Sequence, residues 1–198
     1  MRLFVALDLP EEVAHEVGRR ATEARRELPQ ARWVRPEALH LTLAFLGEQS
    51  ADVLPTLDEH LAPAFVAVAP FEMRLHHGGT FPPQRPARVA WIGVEAGDPL
   101  KDLARRVQGA LQRAVSFQPD RRGFAAHLTM ARCKQPWRRR DIERFERHFR
   151  GFVGDAFLVT EGVLYESTLS PDGARYRAIR RFPLGPGREP VERQEVAG

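Results

Sequence analysis

The chain has 198 residues, 43% of them hydrophobic, so it is long enough to bury a core and too apolar to be disordered throughout. It lacks an apolar run of about 18 residues, and Asp8 and Pro10 interrupt the first apolar segment before it could serve as a signal peptide. These features argue against a membrane-spanning helix and predict a soluble, cytoplasmic protein with no membrane partner. The single cysteine, Cys133, excludes an internal disulfide and a cysteine-ligated zinc site, and we interpret it as a small buried side chain.

The charge of the chain is modestly positive. Lysine and arginine total 30 against 26 acidic residues, which gives a net charge of +4, and only Lys101 and Lys134 are lysines. Arginine favours planar, bidentate recognition of phosphate. Arginine-rich compositions also occur in proteins of GC-rich genomes, however, so the charge suggests a nucleic acid partner without establishing one.

The first third of the chain is predicted to alternate strands and helices. A short apolar run with a β-branched centre predicts a buried strand over residues 2–8. A charged segment with apolar residues at helical spacing predicts a helix from Glu11 to Leu28, which ends at Pro29. The next predicted elements are a short strand around Trp33, a turn at Pro36, a strand over 39–46 and a helix over 50–62.

The remainder of the chain continues this alternation, with a strand or bent strand pair predicted over 65–79. The predicted elements that follow are a strand over 86–97, a helix over 98–115, a strand carrying His127, a helix over 139–149, and two strands over 152–168 and 174–184 joined by a turn. Because the last strands are hairpin-like neighbours, the pattern favours an α+β fold over a doubly wound parallel sheet. Residues 185–198 show no apolar periodicity and are predicted to form a flexible tail.

One motif occurs twice: HLTL begins at His40 and HLTM begins at His127. The two histidines are 87 residues apart, about the length of a lobe, and a helix precedes and follows each motif. Two copies with apolar residues at both intervening positions arise by chance in only about one in a thousand such sequences. We therefore predict a duplicated domain of two lobes over residues 1–184, in which each lobe contributes one motif.

The repeated motif has one polar and one apolar face on a β-strand. Residues two apart share a face, so His40 and Thr42 point one way, and His127 and Thr129 do the same in the second copy. A histidine in one copy alone would be better explained as a core residue bonded to a strand neighbour. Two copies favour chemistry, since one imidazole can act as base and the other as acid.

The hydroxyls of Thr42 and Thr129 can donate to phosphate oxygens, so the four residues resemble a site that holds a phosphodiester and acts on both of its ends. Such a site needs no metal, and we expect no cofactor. The chain contains neither a Walker-type phosphate loop nor an HExxH zinc motif. The near symmetry of the two motifs leaves open which histidine is the acid.

The sequence resembles the two-histidine phosphoesterases, specifically the RNA 2′,3′-cyclic phosphodiesterases that are also called 2′-5′ RNA ligases. The stretches that carry the resemblance occur in the family's order along nearly the whole chain: MRLFVALDLP, RWVRPEALHLTLAFLGE, GTFPPQRPARVAWIGV, HLTMAR and YESTLSPDGARYRAIRRFPL. The resemblance implies a bilobal, pseudo-twofold fold of antiparallel sheets with outer helices, in which both HxTx motifs line a central cleft. It also implies hydrolysis of a 2′,3′-cyclic phosphate to a 2′-phosphomonoester, with 2′-5′ ligation as a related reaction of the same site.

By this resemblance, His40 is the proton donor to the leaving 3′ oxygen and His127 is the acceptor that activates water, while Thr42 and Thr129 hold the phosphate. Ala126 stands where the family usually has proline, and Met130 replaces a common leucine. Neither change removes a functional group.

The two copies differ three residues after the threonine, at Phe45 and Arg132. Strict alternation would turn Arg132 to the apolar face, a poor environment for a guanidinium unless the strand ends or bulges there. Arg132 is therefore a candidate phosphate ligand, with a solvent-facing arginine at a strand end as the alternative. Phe45 and Trp33 are candidate base-stacking residues, although core packing is the better explanation for both.

A basic cluster follows Arg132 and comprises Lys134, Trp137 and Arg138–Arg140. Such a mixture can follow an RNA backbone and stack a base, but it also fits the solvated start of a helix. His76 and His77 are adjacent and should face opposite ways on a strand, so they are not expected to share a site.

The expected partners are RNA ends that bear a 2′,3′-cyclic phosphate, with tRNA fragments among the candidates. We expect a monomer with no obligate protein partner. Two alternatives to cyclic phosphate hydrolysis stay open: a 2′-5′ RNA ligase that joins cyclic-phosphate and 5′-hydroxyl ends, and a non-catalytic module that binds RNA ends.

Overall fold

A computed structural model of the chain describes residues 1–83, 86–121, 123–170 and 173–186, and these residues form nine strands and four α-helices. The strands are β1 (Arg2–Asp8), β2 (Ala31–Trp33), β3 (His40–Glu48), β4 (Phe71–Phe81), β5 (Ala87–Glu95), β6 (His127–Trp137), β7 (Phe157–Val159), β8 (Glu161–Ser170) and β9 (Gly173–Pro183). The helices are α1 (Glu11–Glu27), α2 (Leu54–Val66), α3 (Gly97–Ala114) and α4 (Arg139–His148).

All nine strands belong to one antiparallel sheet in the order β7-β4-β5-β6-β3-β1-β8-β9, and β2 pairs with β6 beside β3. The strands that carry the two histidine motifs, β3 and β6, are therefore neighbours at the centre of the sheet. Leu41 is the cross-strand partner of Leu128, and both leucines are fully buried. The centre of the sheet thus joins the two halves of the molecule.

The order of elements repeats in the two halves of the chain. The first half runs β1, α1, β3, α2, β4 and the second runs β5, α3, β6, α4, β8. The last strand of each set crosses to the other half of the sheet, because β4 pairs with β5 and β8 pairs with β1. The predicted α+β, pseudo-twofold arrangement is therefore correct, and it includes an exchange of strands between the halves.

The helices cover the apolar face of the sheet and exchange partners in the same way, since α1 packs against α4 and α2 packs against α3. The helix α3 shows why the sequence signal was clear. Its apolar residues recur at helical spacing, and the whole stripe is buried: Leu100, Leu103, Val107 and Leu111. The opposite face of the sheet is left for polar side chains.

Two predicted boundaries were wrong. The helix α2 extends to Val66, so the strand predicted over 65–79 begins only at Phe71; the apolar residues before it complete the last turn of the helix. The strand predicted over 152–168 is divided, because β7 pairs with β4 in one half of the sheet and β8 pairs with β1 in the other.

The predicted tail, residues 185–198, is described only in part. Gly185, assigned to the tail, is buried and its N–H donates to the carbonyl of Val68, while residues 187–198 of that prediction lie outside the described residues. Within the described ranges, no helix has both the length and the apolarity to cross a membrane.

Candidate active site

Four polar residues of the repeated motif share one face at the centre of the sheet. Because β3 and β6 run antiparallel with Leu41 opposite Leu128, the residues on either side of each leucine project from the other face. All four are partly exposed, whereas both leucines are buried: the four are His40, Thr42, His127 and Thr129. The structure thus brings together the residues that the alternation predicted, and their catalytic roles stay predictions.

Each imidazole is hydrogen-bonded to a main-chain carbonyl two residues before it. The Nδ1 of His40 lies 2.9 Å from the carbonyl oxygen of Ala38, and the Nδ1 of His127 lies 2.8 Å from that of Ala125. A carbonyl oxygen only accepts hydrogen bonds, so Nδ1 carries a hydrogen in both rings. The Nε2 atom of each histidine is therefore the one that can give or take a proton.

Two aromatic rings, one from β1 and one from β9, lie beside His40. The Phe4 ring on β1 lies 4.8 Å from the imidazole, and the Tyr176 ring on β9 meets it edge-on at 5.1 Å. Burial lowers the pKa of His40; the hydrogen bond to the Ala38 carbonyl and the charge of Asp8 oppose this shift, and the charge of Arg132 adds to it. The protein around His40 thus favours the neutral form of this histidine.

Asp8 is the carboxylate closest to this histidine along the sheet, since it is the cross-strand partner of His40. The hydroxyl of Tyr165 donates to both oxygens of Asp8, at 2.7 and 2.8 Å. Burial and this hydrogen bond raise the pKa of Tyr165, so the phenol keeps its proton and holds the carboxylate in place. Arg181 lies 3.6 Å from the same carboxylate.

His127 has a corresponding aromatic neighbour in the other half of the sheet. The Phe81 ring on β4 meets the imidazole edge-on at 5.1 Å, and Phe81 in turn lies 5.2 Å from Trp91 on β5. Trp91 is the cross-strand partner of Thr129. The strand exchange described above therefore places an aromatic side chain beside each histidine.

A β-bulge follows each motif and explains the position of the residues at which the copies differ. The ladder between β1 and β3 skips Leu43, and the ladder between β5 and β6 skips Met130. At each bulge two successive residues are buried, Leu43 and Ala44 in β3 and Met130 and Ala131 in β6. The residue that follows them therefore projects from the polar face. Phe45 and Arg132 are both exposed there, so Arg132 escapes the apolar face as the prediction required.

A cleft of about 460 Å³ lies beside His40. Thr42, Phe45, Trp33 and Arg132 line it together with His40, so three of the four predicted substrate-binding residues reach this cleft. The fourth, Lys134, is exposed and does not line the cleft. Its Nζ atom lies 3.5 Å from the side-chain oxygen of Gln30. His127 and Thr129 lie next to the cleft on the adjacent strand rather than in its lining.

In the basic cluster after Arg132, the aromatic ring that could have stacked a base is buried. Trp137 is 1% exposed and packs against Trp33 and Phe145, so its ring is unavailable for stacking. Arg139 pairs with Glu143 one turn along α4 at 2.8 Å, as expected for the solvated start of a helix. Cys133 is partly buried, and burial raises the pKa of its thiol.

Trp33 combines both interpretations that the sequence left open. One part of its ring packs on Trp137 and Phe145, at 6.2 and 6.4 Å between ring centroids, and the residue also lines the cleft. Core packing therefore fixes a side chain that a substrate can touch.

The expectation that His76 and His77 face opposite ways was wrong. The ladder between β4 and β5 is irregular between His76 and Gly78, and His77 has a φ of 28°, so the two Nδ1 atoms lie 2.5 Å apart. Within the described part of the chain, no group of three or more histidine, cysteine, aspartate or glutamate side chains is arranged to hold a metal ion.

Comparisons with known proteins agree with this geometry. The family model described as LigT-like phosphoesterase matches residues 7–91, which include β3 and the first motif. An RNA 2′,3′-cyclic phosphodiesterase of Methanothermobacter thermautotrophicus is 30% identical over 184 residues, which cover 93% of this chain and 99% of that protein. The chain belongs to the LigT-like phosphoesterase family.

Solved structures of LigT-like proteins share the fold. A crystal structure of a Thermus thermophilus protein superimposes with a TM-score of 0.80 at 30% identity and covers 95% of this chain and 100% of that one. The structure of Escherichia coli LigT complexed with 3′-AMP gives a TM-score of 0.70 at 28% identity, covering 92% and 97% of the two chains.

Several residues of this LigT-like site were not anticipated from the sequence. Phe4, Phe81, Tyr176, Asp8 and Arg2 all border the histidines or the cleft, yet each lies far along the chain from the motif that it serves. The composition contained one hint, because tyrosine is rare in this chain and occurs only twice. Both tyrosine rings lie beside the Phe4 ring, at 5.3 and 5.0 Å between centroids.

Proposed function

We propose that this LigT-like protein hydrolyses RNA ends bearing a 2′,3′-cyclic phosphate to 2′-phosphomonoesters, with His40 as acid and His127 as base and without a metal. The observation that carries the proposal is the pair of imidazoles on one sheet face, each with Nδ1 committed to a carbonyl and Nε2 left for chemistry. The names of the relatives and the 3′-AMP complex of Escherichia coli LigT support the substrate class.

The reaction balances with these two residues alone. The Nε2 of His127 takes a proton from water as the water oxygen bonds to phosphorus. The bond between phosphorus and the 3′ oxygen breaks, and the Nε2–H of His40 gives its proton to that oxygen. The 2′ ester remains, and the assignment of acid and base follows the family resemblance.

The threonines and Arg132 act on the phosphate. The hydroxyls of Thr42 and Thr129 donate to the non-bridging oxygens, whose negative charge grows as water attacks. Arg132 adds a fixed positive charge on the His40 side. In the absence of substrate this charge disfavours protonation of His40, and a bound phosphate anion offsets it. Substrate binding therefore helps to load the acid with its proton.

The test is an assay of a short RNA that ends in a 2′,3′-cyclic phosphate, incubated with the protein in excess EDTA. We expect the cyclic end to be converted to a 2′-phosphate. This product is distinguished from a 3′-phosphate because it resists an enzyme that removes only 3′-phosphates. Retention of the cyclic end, or activity only after metal is added, would overturn the proposal.

The same assay distinguishes the alternatives. A second RNA with a 5′-hydroxyl end, added to the mixture, would form a longer 2′-5′ linked product if the protein is a ligase in which a hydroxyl replaces water. A non-catalytic module would bind the cyclic end and leave it unchanged.

A further inference from the structure

The cleft beside His40 is lined by more positive charge than one cyclic phosphate requires. Four of its described lining residues are arginines and none is acidic: Arg2, Arg32, Arg35 and Arg132. A cyclic phosphodiester carries a single negative charge. A protonated His40 together with Arg132 already exceeds that charge.

Among the residues that the structure describes, three of these arginines have no carboxylate partner. Arg35 lies 3.6 Å from Glu37, but Arg2, Arg32 and Arg132 form no ion pair within the ranges that the structure describes. Arg32 and Arg132 are cross-strand partners in the ladder between β2 and β6. Like charges directly opposite each other on a sheet are destabilising, so this pair is an arrangement that an anion would relieve.

Arg2 approaches the same space from the other wall. Its guanidinium lies 4.8 Å from the centre of the Phe45 ring, and its charge, like that of Arg132, lowers the pKa of Tyr176, which burial raises. Stacking on an aromatic ring holds a guanidinium in one orientation while its N–H groups stay free to bind. Arg2 and Arg132 therefore face the rim of the cleft around Tyr176.

We infer that the cleft contains a second phosphate site, formed by Arg2 and Arg32, that binds the phosphoryl group on the 5′ oxygen of the nucleotide whose 2′,3′-cyclic phosphate is cleaved. Arg132 serves the cleaved phosphate, since it acts on His40, and the second phosphate lies one ribose away. The inference rests on the proposed function and narrows its substrate class. The preferred substrates carry a 5′-phosphoryl group, either as an internucleotide linkage or as a terminal monophosphate.

The kinetic test compares three substrates: adenosine 2′,3′-cyclic phosphate, the same nucleotide with a 5′-phosphate, and the dinucleotide in which that phosphate is an internucleotide linkage. We expect the added phosphate to lower KM by about tenfold, the scale of one charge-assisted contact. A lower KM for both phosphorylated substrates supports a site for RNA backbone, and a lower KM for the 5′-monophosphate alone supports a site for a terminal phosphate. Equal KM values for all three would overturn the inference.

Variants locate the site. Arg2→Gln and Arg32→Gln should each bring the KM ratio between the unphosphorylated and phosphorylated substrates close to one. The control is Arg139→Gln on α4, outside the cleft, which should leave that ratio as in the wild type. A ratio that survives both cleft substitutions would show that the second phosphate binds elsewhere.

A binding measurement separates this inference from the proposed function. If no cyclic nucleotide is hydrolysed, the proposed function fails, and calorimetry can still compare adenosine 2′-phosphate with adenosine 2′,5′-bisphosphate. The second site predicts about tenfold tighter binding of the bisphosphate, which is lost in Arg2→Gln and Arg32→Gln. Affinities within twofold of each other for the two ligands would overturn the second site, whether or not hydrolysis occurs.

Discussion

At the scale of single residues, a main-chain contact leaves the Nε2 atom of each motif histidine available for proton transfer. Both Nδ1 atoms donate to the carbonyl two residues earlier, at Ala38 and Ala125. This bond fixes the ring orientation and the tautomer without using a second side chain. The sequence around each histidine needs only an extended backbone to supply the contact.

The two imidazoles are expected to be indispensable. His40→Ala and His127→Ala should each lower kcat/KM for cyclic phosphate hydrolysis by about 10²- to 10⁴-fold, the usual contribution of a general acid or base. His60→Ala is a matched control, because His60 also bonds its own main chain, at the Thr56 carbonyl on α2, but does not line the cleft. Activity of either motif variant at the level of the control would show that the repeat is structural.

The protonation of His40 predicts a specific pH dependence. An acid must be protonated, and burial lowers the pKa of His40 below its ordinary value of 6.5, so the limb of the kcat/KM profile that reports His40 should lie below pH 6.5. Because Arg132 contributes to that lowering, Arg132→Gln should shift this limb to higher pH, whatever its effect on the rate. A pH profile of each protein checks both statements. A wild-type profile in which neither limb lies below pH 6.5 would assign the acid role to another group.

At the scale of elements, the bulges after the two motifs give β3 and β6 their chemical difference. Strict alternation would bury Phe45 and Arg132, whereas the bulges at Leu43 and Met130 return both to the polar face. One copy then presents an aromatic ring and the other a cation, although the four residues before the difference are nearly identical. Under the proposed function, this difference lets the two motifs contact different ends of an asymmetric cyclic phosphate.

The bulges also show where prediction from the sequence ends. Alternation within a single strand predicted the shared face of His40 and Thr42, and helical spacing predicted the buried stripe of α3, because both signals are local. A bulge depends on the register of the partner strand. The second wall of the site, with Tyr176 on β9, depends on pairing between segments more than 150 residues apart, for which neither strand carries a local signal.

The packing of α2 on the sheet leaves no room at Gly162 of β8. A Cβ atom at this position would lie 2.2 Å from the ring of Phe65, which is fully buried and stacked on Phe182. Gly162→Ala should therefore lower the free energy of unfolding by about 1–3 kcal/mol, the usual cost of overpacking. Urea unfolding followed by tryptophan fluorescence measures this change.

The matched control is Gly109→Ala on α3, where the nearest atom to the added Cβ is the end of the Arg113 side chain at 3.5 Å. Alanine is favoured over glycine within a helix by up to about 1 kcal/mol, so this substitution should leave stability unchanged or raise it. Equal destabilisation by both substitutions would mean that the contact with Phe65 is not the cause.

At the scale of the whole molecule, the sheet has two halves, β7-β4-β5-β6 and β3-β1-β8-β9. They meet through the short contact between β3 and β6. Leu41 and Leu128 are fully buried partners at this contact, so their packing couples the stability of the two halves to the position of the four motif residues. The exchanged strands strengthen the same coupling, because each half of the chain supplies strands to both halves of the sheet: β4 pairs with β5, and β8 pairs with β1. We therefore expect the halves to unfold together.

Substitution of the two leucines tests this coupling. Leu41→Ala and Leu128→Ala should each destabilise the protein by about 2–5 kcal/mol, and the double variant should lose less than the sum because the residues share one cavity. Unfolding should stay a single transition in all three variants, by both fluorescence and circular dichroism. Two separate transitions would show that the halves are independent units.

The exchange of strands between the halves has a consequence for how the chain is made. β1 is synthesised more than 150 residues before its partner β8, which begins at Glu161, and β9, which carries Tyr176, is synthesised after β8. The wall around His40 is therefore completed only after β9 has been synthesised, and until β8 is available β1 presents an open sheet edge. The candidate site around His40 therefore depends on a strand that is made long after the first histidine motif.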